Sequence, residues 1–131
     1  MRTELLESVL HHEGFKSKPY QDTLGVWTFG HGLTYITEDE SRAIVERRLK
    51  DNEDYLDHNI PVWYKYPEPV KDILIEMAYQ MGAYGLLHFK MMLSYIDAKD
   101  YKQAAIEGLD SAWAKQTPNR AKELMDKLAA V

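Results

Sequence analysis

Apolar residues recur along this chain at changing spacings, and each change marks a new element. Leu5, Leu6, Val9 and Leu10 fall on one face of a short helix, with Glu4 and Glu7 turned away from it. Gly14 is a stop signal, which puts Glu13 in the last helical turn. From there to residue 36 the helical spacing is lost. Pro19, Gly25, Gly30 and Gly32 stand among Tyr20, Val26, Trp27, Thr28 and Phe29, which predicts a small hairpin turning at Asp22-Thr23-Leu24-Gly25.

Thr37-Glu38-Asp39-Glu40 is a capping box that opens a long helix. Ala43, Ile44, Val45, Leu49 and Leu56 give that helix only a partial apolar stripe, and charged residues wet the rest; such a helix can bridge two lobes. Pro61, Pro67 and Pro69 mark a break. Val70, Ile73, Leu74, Met77, Ala78 and Met81 then repeat at strong helical spacing, the expected centre of a larger lobe, ending at Gly82 and Gly85. Leu86, Phe89, Met92, Leu93 and Ile96 predict one further helix, and Ala104, Ala105 and Leu109 a shorter one. Thr117-Pro118 reads as a cap residue followed by a first-turn proline, opening a last helix that buries Ala121, Leu124, Met125 and Leu128. The predicted class is α+β in a single domain: a hairpin lobe over about 14–36, a connecting helix over 37–58, and a helical lobe over 59–131 on which helix 1–13 packs.

Composition narrows the function. With 16 basic and 21 acidic residues the formal charge is −5, which argues against a nucleic-acid partner. No cysteine is present, so disulfide scaffolds, thiol catalysis and cysteine metal sites are excluded. No apolar run reaches the length of a membrane span, and Glu4 and Glu7 interrupt what would be the core of a signal peptide, so no export address and no membrane insertion are expected.

Candidate chemistry sits between residues 13 and 34. Glu13 lies at a helix end, Asp22 at a hairpin turn and Thr28 on the return strand. Two carboxylates on different rigid elements suit glycosidic cleavage, which needs an acid for the leaving oxygen and a carboxylate to guide water or attack the sugar. The negative end of the helix would raise the pKa of Glu13, and Asp22 on an exposed turn would stay ionised. Each residue also has a plain reading: Glu13 as a solvated helix end, Asp22 as a turn-former bonding its own backbone, Thr28 as a β-branched strand residue. His11 and His12 lack the His-Glu-x-x-His spacing, so neither metal nor other cofactor is expected. Trp27, Trp63 and Trp113 fit either sugar stacking or core packing.

Glu13-Gly14, Tyr20-Gln21-Asp22-Thr23, Gly25, Thr28, Gly30, Gly32 and Thr34 together resemble the catalytic segment of the phage lysozymes, glycoside hydrolase family 24. Gln80-Met81-Gly82 and the run Trp113 to Lys122 resemble the corresponding stretches of the T-even members. The resemblance implies a lysozyme-like fold and a muramidase that cuts the β-1,4 bond between N-acetylmuramic acid and N-acetylglucosamine in peptidoglycan, with inversion. It implies Glu13 as general acid, Asp22 and Thr28 as the residues that handle the water, and a cleft between the two lobes. It also implies sugar contacts from Thr34, Tyr79 and Gln80, a wall organised by Trp113 and Thr117, and an arginine, Arg120, that approaches the acid and would lower its pKa.

The chain departs from the pattern in places. Only Tyr35 and Ile36 separate Thr34 from the long helix, so the small lobe is expected to be trimmed, and the terminal segment of longer relatives is expected to be missing. Gly-x-Gly-His becomes Gly30-His31-Gly32-Leu33, and Met92 and Glu107 stand where family members have polar cleft residues. The implied setting is a monomeric phage endolysin, held in the host cytoplasm until a separate holin-type protein releases it to the cell wall. The alternatives are a tail-associated muramidase, or a glycan-binding module without activity.

Overall fold

Hydrogen-bonded turns decide where each element of the first fifth of the chain stops. A computed structural model describes residues 2–131. Helix α1, Thr3–Glu13, ends where Gly14 takes φ 67° and donates its N–H to the Leu10 carbonyl. Strands β1, Lys16–Gln21, and β2, Trp27–Gly30, form one antiparallel hairpin. Lys16 pairs with Gly30, Tyr20 with Thr28 and Gln21 with Trp27, with an irregularity between Lys16 and Tyr20. Helix α2, Glu38–Asn59, opens on the expected reciprocal cap: Glu40 N–H donates to Thr37 Oγ1 at 3.2 Å, and Thr37 N–H donates to Glu40 Oε1 at 2.9 Å.

The rest is helical. A short 3₁₀ turn at Trp63–Lys65 leads to α3, Glu68–Met81. Then come α4, Ala83–Leu86, α5, Lys90–Asp97, α6, Tyr101–Leu109, α7, Ala112–Gln116, and α8, Pro118–Ala129. The class is α+β, as the spacing predicts. One predicted helix is in fact two. His88 N–H bonds the Gly85 carbonyl and Phe89 N–H the Leu86 carbonyl, tight three-residue closures that break the helical ladder between α4 and α5.

The chain forms two compact units, Met1–Ile44 and Val45–Val131, and the boundary falls within α2. The first unit takes in α1 as well as the hairpin. It holds no buried apolar side chain among the described residues, and α1 buries none of its own. The second unit carries the core. Val70, Leu74 and Met77 on α3, Leu86 on α4, Met92 and Ile96 on α5, and Met125 and Leu128 on α8 are fully buried. Gly108 on α6 lets helices close in, since a Cβ there would lie 2.4 Å from Met125 Sδ and 3.2 Å from Met92 Sδ. Burial, then a hydrogen bond to Asp97, pushes the Tyr66 phenol well above its ordinary range, so it stays protonated and donates to that carboxylate.

Candidate functional site

The hairpin turn is built on Asp22. Its N–H donates to the Val26 carbonyl at 2.9 Å, and its own carbonyl accepts from Gly25 N–H at 3.0 Å. Its side-chain Oδ1 accepts from both Leu24 N–H at 2.8 Å and Val26 N–H at 2.9 Å. One carboxylate oxygen therefore makes the turn, as a plain turn-former would. The second, Oδ2, takes no hydrogen bond from the described residues. The turn-forming and chemical readings of Asp22 can coexist, one on each oxygen.

Thr28 shares this network. Pairing with Tyr20 places it on β2, where it is 5% exposed, the buried polar residue of this unit. Its Oγ1 donates to the Val26 carbonyl at 3.0 Å. Val26 thus ties both residues to one backbone position: its N–H donates to Asp22, and its carbonyl accepts from Thr28. With its proton committed there, the Thr28 hydroxyl is left as an acceptor towards anything else.

Glu13 reaches the same unit from the end of α1. Its carboxylate lies against Gly32: a Cβ built on Gly32 would fall 2.1 Å from Glu13 Oε2 and 2.6 Å from its Cδ. Gly32 also has φ 71°, a conformation that L side chains rarely adopt. It sits in a tight loop closed by Phe29 N–H to the Leu33 carbonyl at 2.8 Å and Leu33 N–H to the Phe29 carbonyl at 2.9 Å. Glycine is therefore required twice at this position, for its backbone and for the space that Glu13 fills. Thr34 follows this loop and is exposed.

In the second unit three expected site residues form a closed ring. Trp113 Nε1–H donates to Gln80 Oε1 at 2.9 Å, Gln80 Nε2–H donates to Thr117 Oγ1 at 3.2 Å, and Thr117 Oγ1–H donates to the Trp113 carbonyl at 3.0 Å. This ring uses the Thr117 hydroxyl, so Thr117 precedes α8 without making the side-chain cap that its sequence predicts. Gln80 has one amide hydrogen left. A pocket of about 390 Å³ opens beside the ring, with Met81, Phe89 and Trp113 as apolar walls and Gln80, Ser111 and Gln116 as polar ones. Tyr79 is partly exposed next to it in sequence, at 39%.

Arg120 Nε–H donates to Glu76 Oε2 at 3.0 Å, joining α8 to α3. Nothing in the local sequence announces Glu76, which lies 44 residues earlier. The two positions share only a helical spacing that leaves both at the margin of a buried face. Trp63 and Trp113 are buried and Trp27 is exposed. Met92 is buried in the core, and Glu107 accepts a hydrogen bond from Gln103 on its own helix. His11 and His12 pack edge to face beside Glu13.

A family model described as phage lysozyme matches residues 10–130. The chain is 34% identical over 93 residues to the probable T4-type lysozyme 1 of Dictyostelium discoideum, which takes in 69% of this chain and 55% of that protein. It is 36% identical over 149 aligned positions to the pre-baseplate central spike protein Gp5 of Enterobacteria phage T4, covering 89% of this chain and 26% of that one. The probable T4-type lysozyme 2 of Dictyostelium discoideum is 40% identical over 55 residues, 42% of this chain and 32% of that protein. The chain spans about half the length of the first relative and about a quarter of the second.

Proposed function

The chain belongs to the phage lysozyme family, and from that premise we propose that it is a muramidase hydrolysing the β-1,4 bond between N-acetylmuramic acid and N-acetylglucosamine in peptidoglycan. The observation that carries this reading is the arrangement in the first unit. Glu13 is seated on Gly32, while Asp22 and Thr28 are both hydrogen-bonded to the backbone of Val26.

Glu13 is the general acid. It gives its proton to the leaving glycosidic oxygen as the bond from that oxygen to the anomeric carbon breaks. Asp22 Oδ2 and Thr28 Oγ1 both face a water as acceptors, because Asp22 Oδ1 and the Thr28 proton are already committed to the turn. Two acceptors take the water's two hydrogens and leave an oxygen lone pair for the anomeric carbon. The new C–O bond forms on the face opposite the departing sugar, and the water's proton passes to Asp22. The product is inverted. Thr34 in the first unit is exposed and available for a glycan contact, and in the second unit Tyr79 is exposed and Gln80 holds Trp113. Arg120 is paired with Glu76 within the second unit.

The reading of its biological role is a phage endolysin that waits in the host cytoplasm for a holin-type protein and then attacks the wall. A second reading is supported by the match to a central spike protein over 89% of this chain: delivery within the virion tail. Detecting the protein in purified particles separates the two.

Mass spectrometry of digested peptidoglycan tests the activity. New reducing muramic ends are expected from the wild type, and Glu13→Gln should slow their release by about 10²–10⁴-fold. Intact strands with measurable binding would make this a glycan-binding module. Anhydro-muramic ends would make it a lytic transglycosylase.

A further inference from the structure

His31 stands two positions ahead of the histidine of the related pattern, at the place between the two glycines, and the hairpin register gives the displacement a consequence. Lys16 pairs with Gly30, so one more step of that register sets Phe15 opposite His31. The rings meet there, with centroids 5.1 Å apart and planes inclined by 43°. On the neighbouring positions Glu13 rests against Gly32. Two adjacent contacts therefore join the exit of α1 to the 29–33 loop: Glu13 on Gly32, and Phe15 on His31.

The end of α1 needs such a fixture. This helix has no buried residue, so its own packing holds Glu13 loosely. Gly14 follows at φ 67°, a residue whose freedom would let the carboxylate swing. The irregularity between Lys16 and Tyr20 leaves the Lys16–Gly30 pair detached from the regular ladder that holds Asp22 and Thr28. The loop side is stiff, since Phe29 and Leu33 exchange two backbone hydrogen bonds around Gly30, His31 and Gly32.

We propose that His31, through its tilted ring contact with Phe15, is the positioning residue that holds Glu13 over Gly32. The role belongs to the flat ring and not to its proton chemistry, because the partner is a phenyl group. It rests on the reading of Glu13 as the general acid. A displacement of that carboxylate by a fraction of its own width is enough to slow proton delivery.

The test compares His31→Ala, His31→Phe and Phe15→Ala with the wild type on soluble peptidoglycan fragments. His31→Ala should lower kcat about tenfold or more while KM stays within about twofold, because the acid moves and the glycan contacts do not. His31→Phe keeps a stacked ring and should return kcat to within about threefold of wild type. Phe15→Ala should match His31→Ala, and the double variant should be no worse than either alone, as expected for one shared contact. Wild-type kcat in His31→Ala overturns the proposal, and so does a His31→Phe variant as slow as His31→Ala. If His31→Ala does not fold, Phe15→Ala and His31→Phe carry the same decision. A wild type that cuts no glycan, or a Glu13→Gln variant at full rate, defeats the functional reading instead. The contact is then judged by the Gly32 amide resonance, which should move in Phe15→Ala and overturns the proposal if it does not.

Discussion

The two units of this chain are held together by different physics. Val45–Val131 folds around apolar side chains: every buried apolar residue among those described lies at Leu56 or later. Among its described residues Met1–Ile44 has no such core, and the buried polar residue there is Thr28. Its order comes from backbone geometry: the Asp22 turn, the doubly closed 29–33 loop, the Gly14 stop and the Thr37–Glu40 box. A core accepts polar groups only when they are paired, as Tyr66 is with Asp97, whereas a turn must present carboxylates and amides to one another. The region that carries the proposed acid and water residues is therefore the region stabilised by hydrogen bonds, and structure and chemistry draw there on the same atoms.

Substitutions can sharpen this contrast. The largest effect is expected at Asp22. Asp22→Asn keeps an Oδ1 that can accept from Leu24 and Val26, so the turn survives, but it replaces Oδ2 with an amide that cannot take a proton. Turnover should fall by about 10²–10⁴-fold with the thermal midpoint unchanged. Loss of folding would mean that the turn needs the charge as well as the oxygen. Next comes Leu74→Ala in the second unit, which should cost about 2–5 kcal/mol in urea unfolding by removing a fully buried side chain. Leu5→Ala on α1, where the side chain is 52% exposed, should stay within about 0.5 kcal/mol. Equal costs for the two leucines would erase the distinction between the units.

The smallest effect is expected from acid. Hydrogen bonds from the Thr37 backbone and then its hydroxyl hold the Glu40 carboxyl below the ordinary glutamate range. A carboxylate depressed by folding contributes stability that is present above its unfolded pKa and lost as pH falls through its folded one. Lowering the pH from about 4.5 downwards should therefore loosen the first turn of α2. Its amide resonances at Thr37 and Glu40 should shift before that of Leu74. Simultaneous shifts would show that the cap and the core melt as one.

The pattern of residues made much of this visible, and the parts it hid have physical reasons. The run Val70, Ile73, Leu74, Met77, Ala78 and Met81 predicts a buried helix face; the first five are buried, and Met81 at the helix end is partly buried against the core. The capping box and the hairpin turn are local motifs, and both form as spaced. The break between α4 and α5 is hidden because Leu86, Phe89, Met92 and Ile96 keep a helical apolar spacing across it. Thr117 looks like a cap, but its hydroxyl is claimed by Trp113 and Gln80, partners that lie 4 and 37 residues away. Arg120 with Glu76, and Glu13 with Gly32, are likewise long-range pairs. The identity of Asp22 as a candidate is legible from spacing, but the division of duty between its two oxygens is legible only from the bonds they make.

The account rests on Asp22 guiding water and not attacking the sugar. Proton nuclear magnetic resonance during the first moments of cleavage, before mutarotation, tests that directly. The β-linkage should give the α-anomer of the new muramic end first, and appearance of the β-anomer first would contradict it.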